Sequence, residues 1–431
     1  MTRTSPARPA LLRTLNDRTV LELLLSDGAS SRTDLAERSG LSKPTIAEVL
    51  SRLEEAGLIV DAGETFGRRG PNGRLHGPAL HLVRGAALTV EPGRVTCDLV
   101  DARGTVLGGA TMRRGDIPRG AGAVTRALVA EAASTADVSL ETIAEIVVGL
   151  PGSYDASADR VRYADRIPDW TAPRIAESVA REFGDGTVVT LDNDVNLALV
   201  AERATGAAIG SAVTSLLWLA TGIGLATDLD GTLYRGVTGG AGEIGYIPVP
   251  APKGSMGTPG ATYPDFQDVV GSAAVLRLAR DLGISGRTAA AVVEHAADSH
   301  ASDPAAGAFL DELARRIALG LAVIVAVLDP GLVVIGGAVG RAGGAALAQR
   351  TTTAFRAVSP LACRSGASTG TGDPSMVGAH AVATGRVRDR LLDAANRAAA
   401  APAASEQPPA RSPRSIPSST VPTPRTAEEV H

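Results

Sequence analysis

The stretch from Val188 to Pro250 decides the fold and reads VVTLDNDVNLALVAERATGAAIGSAVTSLLWLATGIGLATDLDGTLYRGVTGGAGEIGYIPVP. A first apolar run ends in the polar residues 192–194, and a second, at 216–220, ends in the turn 221–224. A polar segment then leads to Gly-Glu-Ile-Gly at 242–245. Polar groups therefore follow predicted strands, which is where open α/β sheets bind ligands.

Composition sets the outer limits. The chain has 431 residues, of which 44% are apolar, so it is long enough for two or three domains. A net charge of −4 argues against a uniformly basic coat for nucleic acid but leaves room for a local DNA-binding patch. Cys97 and Cys363 are too few for a disulfide framework or a cysteine zinc cluster. Because no apolar run reaches about 18 residues, we expect a cytoplasmic protein without membrane insertion.

The N-terminal region predicts three helices. An apolar stripe predicts a first helix at Leu15–Leu25, and a capping-box-like start predicts a second, short one at Arg32–Ser39. Gly40 makes a tight turn, after which Ser42 caps a third helix whose apolar residues recur at helical spacing until Gly57 ends it.

A short helix, a glycine turn and a longer helix that opens with small polar residues are typical of a helix-turn-helix. The start of the third helix would face a DNA groove, and a basic loop at 68–74 could reach phosphates or a minor groove. The predicted DNA-contacting residues are Ser42, Lys43, Pro44, Thr45, Arg52, Arg68, Arg69 and Arg74. The alternative is a three-helix protein-interaction module whose basic loop is only solvated.

From residue 86 onward the pattern changes to short strands and then to alternating strands and helices, which predicts α/β layers. The predicted elements are a β-meander at Ala86–Val90, Val95–Val100 and Val106–Met112, helices at Asp268–Asp281, Ala289–Ala297, Pro304–Leu328 and about Met376–Ala399, and a buried strand from Leu332 to a Gly-Gly turn at 336–337.

Three motifs of the central stretch resemble those of the ROK family, which comprises bacterial sugar kinases and sugar-responsive repressors. Residues 193–196 resemble its Asn-Asp-x-Asn motif, residues 221–224 its second phosphate turn, and residues 242–246 its Gly-Glu-x-Gly-His sugar motif. The resemblance runs from about residue 86 to 385, and residues 40–46 and 56–59 resemble the winged helix of ROK repressors.

The resemblance implies a domain order. It consists of a winged helix-turn-helix at 11–84 and a ROK sugar-kinase-like domain at 85–399. Composition adds a flexible arm at 1–10, rich in Pro, Arg and Thr, and a disordered tail at 400–431, rich in Pro, Ala, Ser and Arg. The kinase-like domain would have the two-lobed, actin-like (ribonuclease H-like) α/β fold, with a cleft between its lobes.

The same resemblance implies an effector site, with Asp194 aligned to the general base of the kinases. The implied effector-binding residues are Asn193, Asp194, Glu243, Tyr246 and Gln267. For residues 192–196 the alternative is simple capping of a helix. Three departures from the family alter the cleft: Tyr246 replaces a His, Gln267 replaces a Glu, and Arg166 replaces an Asn at its lip.

Two family sites are predicted to be lost. The first phosphate hairpin of the kinases carries Asp-x-Gly-Gly-Thr, whereas this chain has Thr-Val-Glu-Pro-Gly at 89–93. Pro92 lacks an amide donor and Glu91 brings negative charge, so ATP would bind poorly. Residues 252–264 replace the family's zinc cluster and contain no Cys or His, so neither zinc nor another cofactor is expected.

These patterns lead to one hypothesis and two rivals. The hypothesis is a repressor that binds a double-stranded operator as a homodimer or higher oligomer and responds to a sugar or sugar derivative. The rivals are a ROK sugar kinase that uses ATP and a DNA-binding protein with a vestigial sugar pocket.

Overall fold

The computed structural model describes residues 9–64, 73–113, 115–116, 118–164, 166–249 and 264–400. Several predictions lie outside these residues: the arm at 1–8, the wing residues Arg68 and Arg69, most of the segment 252–264, and the tail at 401–431.

The N-terminal part is three helices with a small sheet, in the order β1-β3-β2. Its elements are α1 (Pro9–Asp27), β1 (Ser30–Ser31), α2 (Arg32–Ser39), α3 (Lys43–Glu55), β2 (Ile59–Glu64) and β3 (Arg74–Pro78). The hydroxyl of Ser31 accepts a hydrogen bond from the amide of Asp34, as the capping pattern predicts. Helix α1 begins at Pro9, so the prediction that residues 1–10 form an arm is wrong for its last two residues.

The first lobe is a five-stranded sheet in the order β10-β7-β4-β5-β6. Its elements are β4 (Arg84–Glu91), β5 (Arg94–Val100), β6 (Val106–Arg113), α4 (Ala121–Thr135), β7 (Ile143–Leu150), β8 (Ser153–Asp155), β9 (Arg160–Arg162), α5 (Ile175–Ala180), β10 (Val188–Asn193) and α6 (Asp194–Thr205). Strands β4, β7 and β10 run parallel, so their carboxyl ends share one edge of the sheet. This edge borders the site described below.

The second lobe is another five-stranded sheet, in the order β13-β12-β11-β14-β15, covered by helices. Its elements are β11 (Val213–Leu219), β12 (Ile223–Leu229), β13 (Thr232–Leu233), α7 (Phe266–Val270), α8 (Ser272–Asp281), α9 (Ala289–Ser299), α10 (Pro304–Leu328), β14 (Leu332–Gly336), α11 (Gly337–Val358) and β15 (Ser365–Ala367). The last helix, α12 (Pro374–Ala400), returns to the first lobe. The predicted fold class, a winged helix-turn-helix followed by a two-lobed α/β fold, is confirmed.

Two helix predictions need correction, and glycine is the reason in both. The helix predicted at 268–281 is divided into α7 and α8, because Gly271 adopts an extended conformation (φ −63°, ψ 160°) between them. Helix α11 was not predicted, because its glycines have low helix propensity. It is kinked at Gly344, where φ is +50°.

Helix α12 belongs to two cores. Its first half packs on α6, β4 and β7 of the first lobe. Its second half packs with α1 and α3, where four of its residues are buried beside the apolar face of the winged helix: Val387, Leu391, Leu392 and Ala395. The last helix therefore completes the first domain, although the boundary predicted at residue 84 assigns it to the second.

Candidate functional site

The start of α3 is exposed as a recognition helix requires. Ser42 caps the helix by accepting a hydrogen bond from the amide of Thr45 at 3.3 Å, and the two hydroxyls lie 2.8 Å apart. Lys43 and Pro44 are exposed. The opposite face of α3 is buried against α1 and α2. This arrangement leaves the first turn of α3 open to a DNA groove.

Arg52 lies elsewhere than predicted. Its Nε donates to Oδ2 of Asp17 at 3.0 Å and its Nη2 donates to the other carboxylate oxygen. Asp17 is buried, and the hydrogen bond to it raises the pKa of Arg52. Arg52 therefore ties α3 to α1 and is not free for a phosphate. A sequence signal for this ion pair exists: Asp17 lies three residues before Val20, on the apolar stripe of α1. Because a carboxylate is costly to bury alone, its position on that stripe predicts a cationic partner.

Arg74 lies at the base of the wing. Its Nε donates to Oδ2 of Asp61 at 2.9 Å, and its guanidinium is 3.2 Å from Glu54. His76 in the same strand is buried beside Glu54, and burial lowers its pKa. The side chain of Arg74 remains half exposed, so its solvent-facing side can still contact DNA while it is paired with Asp61 and Glu54.

The five predicted effector residues line one cleft of about 530 Å³ between the lobes. The turn 221–224 and residues 90–92 of the first hairpin also border the cleft. Three further side chains line it that the sequence motifs did not predict: Ser153, Tyr163 and Trp218. The structure therefore brings together polar groups from both lobes, as the strand-end argument predicts.

Asn193 caps α6. Its Oδ1 accepts from the amides of Val195 at 2.8 Å and Asn196 at 3.3 Å, and its Nδ2 donates to the carbonyl of Gly152 at 2.9 Å. Both ends of the side-chain amide are occupied within the protein. The capping alternative is thus what the structure shows for Asn193.

Asp194 is half-buried at the first turn of α6 and faces the cleft. Burial raises its pKa to about 7, with Asp373 and Glu243 contributing negative charge nearby. Asp192, by contrast, is buried and ion-paired to Arg235 at 2.6 Å. Of the acidic pair in this motif, Asp194 is the one available to a ligand, and it can donate or accept a proton near neutral pH.

Glu243 joins the two lobes. Its Oε1 accepts a hydrogen bond from the hydroxyl of Ser153 in β8 at 2.5 Å. At the mouth of the cleft the rings of Tyr163 and Tyr246 contact each other across the lobes, with centroids 5.7 Å apart. Tyr246, which replaces the family's His, therefore makes an aromatic contact there.

Gln267 holds the turn at 221–224. Its Oε1 accepts from the amide of Ile223 at 2.9 Å and its Nε2 donates to the carbonyl of Thr221 at 2.8 Å. Both polar atoms of its side chain are occupied, so its predicted role as a direct ligand contact needs correction: Gln267 positions the turn. Sequence reasoning missed this role because the two segments are 46 residues apart.

Glu91 and Pro92 of the first hairpin line the cleft. Glu91 lines the cleft and accepts from Nε of Arg94 at 2.6 Å. Among the described residues, no group of three His, Cys, Asp or Glu side chains is placed to hold a metal ion; the segment 252–264, where zinc was predicted to be absent, lies mostly outside them. None of the described helices is long and apolar enough to cross a membrane.

Relatives of the chain include kinases and repressors. A glucokinase of Thermotoga maritima is 29% identical over 210 residues, which are 46% of this chain and 64% of that enzyme. A putative xylose repressor of a Caldicellulosiruptor species is 24% identical over 348 residues, which are 76% of this chain and 84% of that protein. The match thus spans slightly less than two thirds of the glucokinase.

Structural and family comparisons agree with these relatives. A solved ROK family transcriptional regulator, described as a homolog of the E. coli MLC protein, superposes with a TM-score of 0.65 at 20% identity, over 90% of this chain and 99% of that one. Residues 13–60 match the model of a winged helix-turn-helix DNA-binding domain, and residues 94–386 match the ROK family model. The chain therefore belongs to the ROK family and carries a winged helix-turn-helix at its N-terminal end.

Proposed function

We propose that this protein is a sequence-specific transcriptional regulator, a repressor, whose affinity for its operator is controlled by a sugar or sugar derivative bound in the interlobe cleft. The observation that carries the proposal is helix α12, which is continuous from its contact with α6, the helix whose Asp194 lines the cleft, to the core of the winged helix. One rigid element thus contacts both the effector site and the DNA-reading unit.

At the cleft, α12 lies directly on the helix that carries Asp194. The hydroxyl of Ser375 donates to the carbonyl of Asp194 at 3.0 Å. Three residues later, a β-carbon at Gly378 would lie 1.9 Å from the carbonyl oxygen of Leu197, so the two helices touch by their backbones. A shift of α6 on ligand binding must therefore move α12.

At the winged helix, α12 supplies part of the core. Leu391 and Val387 are buried with Leu21 and Leu24 of α1. Nη2 of Arg388 also donates to the hydroxyl of Ser26 at the end of α1, at 2.8 Å. Because α1 is fixed to α3 through Asp17 and Arg52, the recognition helix is linked mechanically to α12.

The mechanism follows from these contacts. A ligand that binds better to one arrangement of the lobes shifts the population towards that arrangement, and the winged helices move with α12. Since operators of helix-turn-helix proteins pair two half-sites, we propose a homodimer or higher oligomer in which this movement changes the spacing of the recognition helices.

Catalysis is not part of the proposal. The resemblance to the kinases aligns Thr-Val-Glu-Pro-Gly at 89–93 with their Asp-x-Gly-Gly-Thr, and the carboxylate of Glu91 borders the cleft. Both observations argue against binding of a phosphate there. Repressors among the relatives match a larger share of the chain than the glucokinases do.

The test is operator binding by the purified full chain, with DNA from its own promoter region, at fixed salt, with and without a panel of sugars and sugar phosphates. We expect specific binding that one ligand weakens by roughly tenfold or more. Specific binding that stays the same with every ligand shown to bind would contradict effector control and favour a vestigial pocket.

A sugar kinase is the second candidate, and the raised pKa of Asp194 is the observation that favours it, because a general base works best with a pKa near neutrality. ATP-dependent phosphorylation of a sugar that disappears in Asp194→Asn would support the kinase. We expect no such activity above the level of the variant.

A further inference from the structure

Arg166 is the cationic side chain among the described residues that line the cleft. It is exposed, and within the described part of the chain, which leaves out Asp165 and residues 250–263, it has no hydrogen-bond or ion-pair partner. Neighbouring arginines are engaged: Arg162 pairs with Asp155 at 2.9 Å and Arg235 with Asp192 at 2.6 Å. An arginine without a partner at the edge of a binding cleft can bind an anionic group of a ligand.

The described residues that precede Arg166 are held in place beside the cleft. Three residues earlier, Tyr163 has a left-handed backbone (φ +57°), which is unusual for a bulky residue, and its ring contacts Tyr246 of the other lobe. The preceding hairpin is fixed because the hydroxyl of Tyr154 donates to Asp159 at 2.9 Å, and Asp159 also accepts from the amide of Ala176 in α5. Arg166 is therefore presented from an anchored loop.

The floor of the cleft has the opposite charge. Asp194 and Glu243 line the cleft there, and both can accept hydrogen bonds from hydroxyl donors. Glu91 is a third carboxylate on the lining and is bonded to Arg94. An anionic substituent on the ligand would be repelled from this floor and attracted to the lip. The two ends of the cleft thus differ in charge, and a ligand with hydroxyls at one end and an anion at the other matches both.

We propose that the effector is a monosaccharide derivative with one anionic group, either a carboxylate or a phosphate, and that Arg166 binds this group while Asp194 and Glu243 accept hydrogen bonds from the ring hydroxyls. The proposal rests on the proposed function, because it concerns the ligand of the same cleft. It makes Arg166 a specificity-determining residue.

The experiment compares matched ligands on the full chain by calorimetry and by release of the operator. The probes are D-glucose, D-glucuronate and D-glucose 6-phosphate, together with D-galactose, D-galacturonate and D-galactose 6-phosphate. We expect an anionic member of one set to bind at least about tenfold more tightly than its neutral parent. The carboxylate and phosphate arms show which anion is preferred.

Arg166→Gln is the test variant, and Arg160→Gln is its control, since Arg160 is exposed on β9 but does not line the cleft. We expect Arg166→Gln to abolish the preference for the anion and Arg160→Gln to retain it. Added salt should weaken the preference in the unmodified protein.

The outcomes separate this inference from the function on which it rests. If neutral sugars bind and release the operator while the anionic members bind no better, or if the preference survives Arg166→Gln, the inference is wrong and effector control stands. If no member of the panel binds although the operator is bound specifically, the inference of an anionic hexose effector is wrong, and the wider panel of the operator test decides on effector control.

Discussion

The start of α3 and the interlobe cleft differ in how they use the polar residues that the sequence assigned to binding. Ser42, Lys43 and Pro44 are exposed, and the side chain of Ser42 bonds only within the first turn of α3, to the amide and the hydroxyl of Thr45. In the cleft, Asn193 and Gln267 have both ends of their side-chain amides bonded to the protein.

A binding motif in a cleft both contacts the ligand and holds the lining of the cleft together. A surface helix needs only a buried face to fix its exposed face, whereas a cleft between lobes is shaped by hydrogen bonds from its own lining. Substitutions at the first site should therefore affect DNA binding alone, and substitutions in the cleft should affect stability as well.

The largest loss of stability is expected at Arg52, because this residue of α3 is bonded within the protein and is not free on its surface. Arg52→Ala leaves the buried carboxylate of Asp17 without its partner, so we expect the free energy of unfolding to fall by about 3 kcal/mol. Lys43→Ala, in the same helix, should leave stability within about 0.5 kcal/mol. It should weaken operator binding and lower the salt dependence by about one charge.

Denaturant unfolding and DNA titrations at several salt concentrations distinguish these residues. If Arg52→Ala were as stable as the unmodified protein and weakened operator binding as much as Lys43→Ala does, Arg52 would contact a phosphate and the prediction would be wrong.

The next effect concerns the helix that connects the two regions. Gly378→Ala places a methyl group against the backbone of Leu197, so we expect a loss of about 2 kcal/mol in unfolding free energy. Gly385→Ala, in the same helix with open space around it, should raise stability by about 0.5 kcal/mol because alanine favours the helix. Equal melting temperatures for the two variants would show that α12 and α6 are not packed by their backbones.

A pH dependence should distinguish Asp194 from other carboxylates. Its pKa is about 7 in the folded protein and about 3.9 when unfolded, so folding favours the protonated form. That stabilisation is complete below about pH 4 and is lost as the pH rises through about 7. Asp194→Asn should therefore match the unmodified protein near pH 4 and exceed its stability at pH 8. The gain should be less than the roughly 4 kcal/mol that three pKa units correspond to, because solvent reaches the half-buried carboxylate.

Urea unfolding at pH 4, 6 and 8 measures this trend. Asp155→Asn is the control, because the hydroxyl of Ser157 holds the pKa of Asp155 below its usual value. The stability contributed by Asp155 is present above about pH 4 and is lost only below it, so the control should show a constant penalty between pH 6 and 8. A flat curve for Asp194→Asn would contradict the raised pKa.

The smallest effect is expected at the mouth of the cleft. The rings of Tyr163 and Tyr246 are both more than half exposed, so their contact should be weak. A double-mutant cycle with Tyr163→Ala and Tyr246→Ala should give a coupling energy of about 0.5–1 kcal/mol in unfolding. A coupling of zero would mean that the aromatic pair does not hold the lobes together in solution.

Local signals explain which elements could be predicted. Helices α2 and α10 have the predicted bounds, because Ser31 and Asp303 cap them and Gly40 ends the first. Local signals did not predict α11, because its glycines lower the helix propensity of the segment and tertiary packing supplies the rest of its stability. They also did not predict that the helix at 268–281 is divided at Gly271.

From the sequence alone one could predict the order of the domains, the capped recognition helix and the cleft at the strand ends, because caps, turns and apolar periodicity act over a few residues. Only the tertiary structure decided which polar residues remain for ligands. Arg52 found Asp17, Gln267 found the turn at 221–224, and α12 joined the core of the winged helix, although these partners are far apart in the chain. Such pairings depend on how the two lobes and the N-terminal helices meet, and no local pattern contains that geometry.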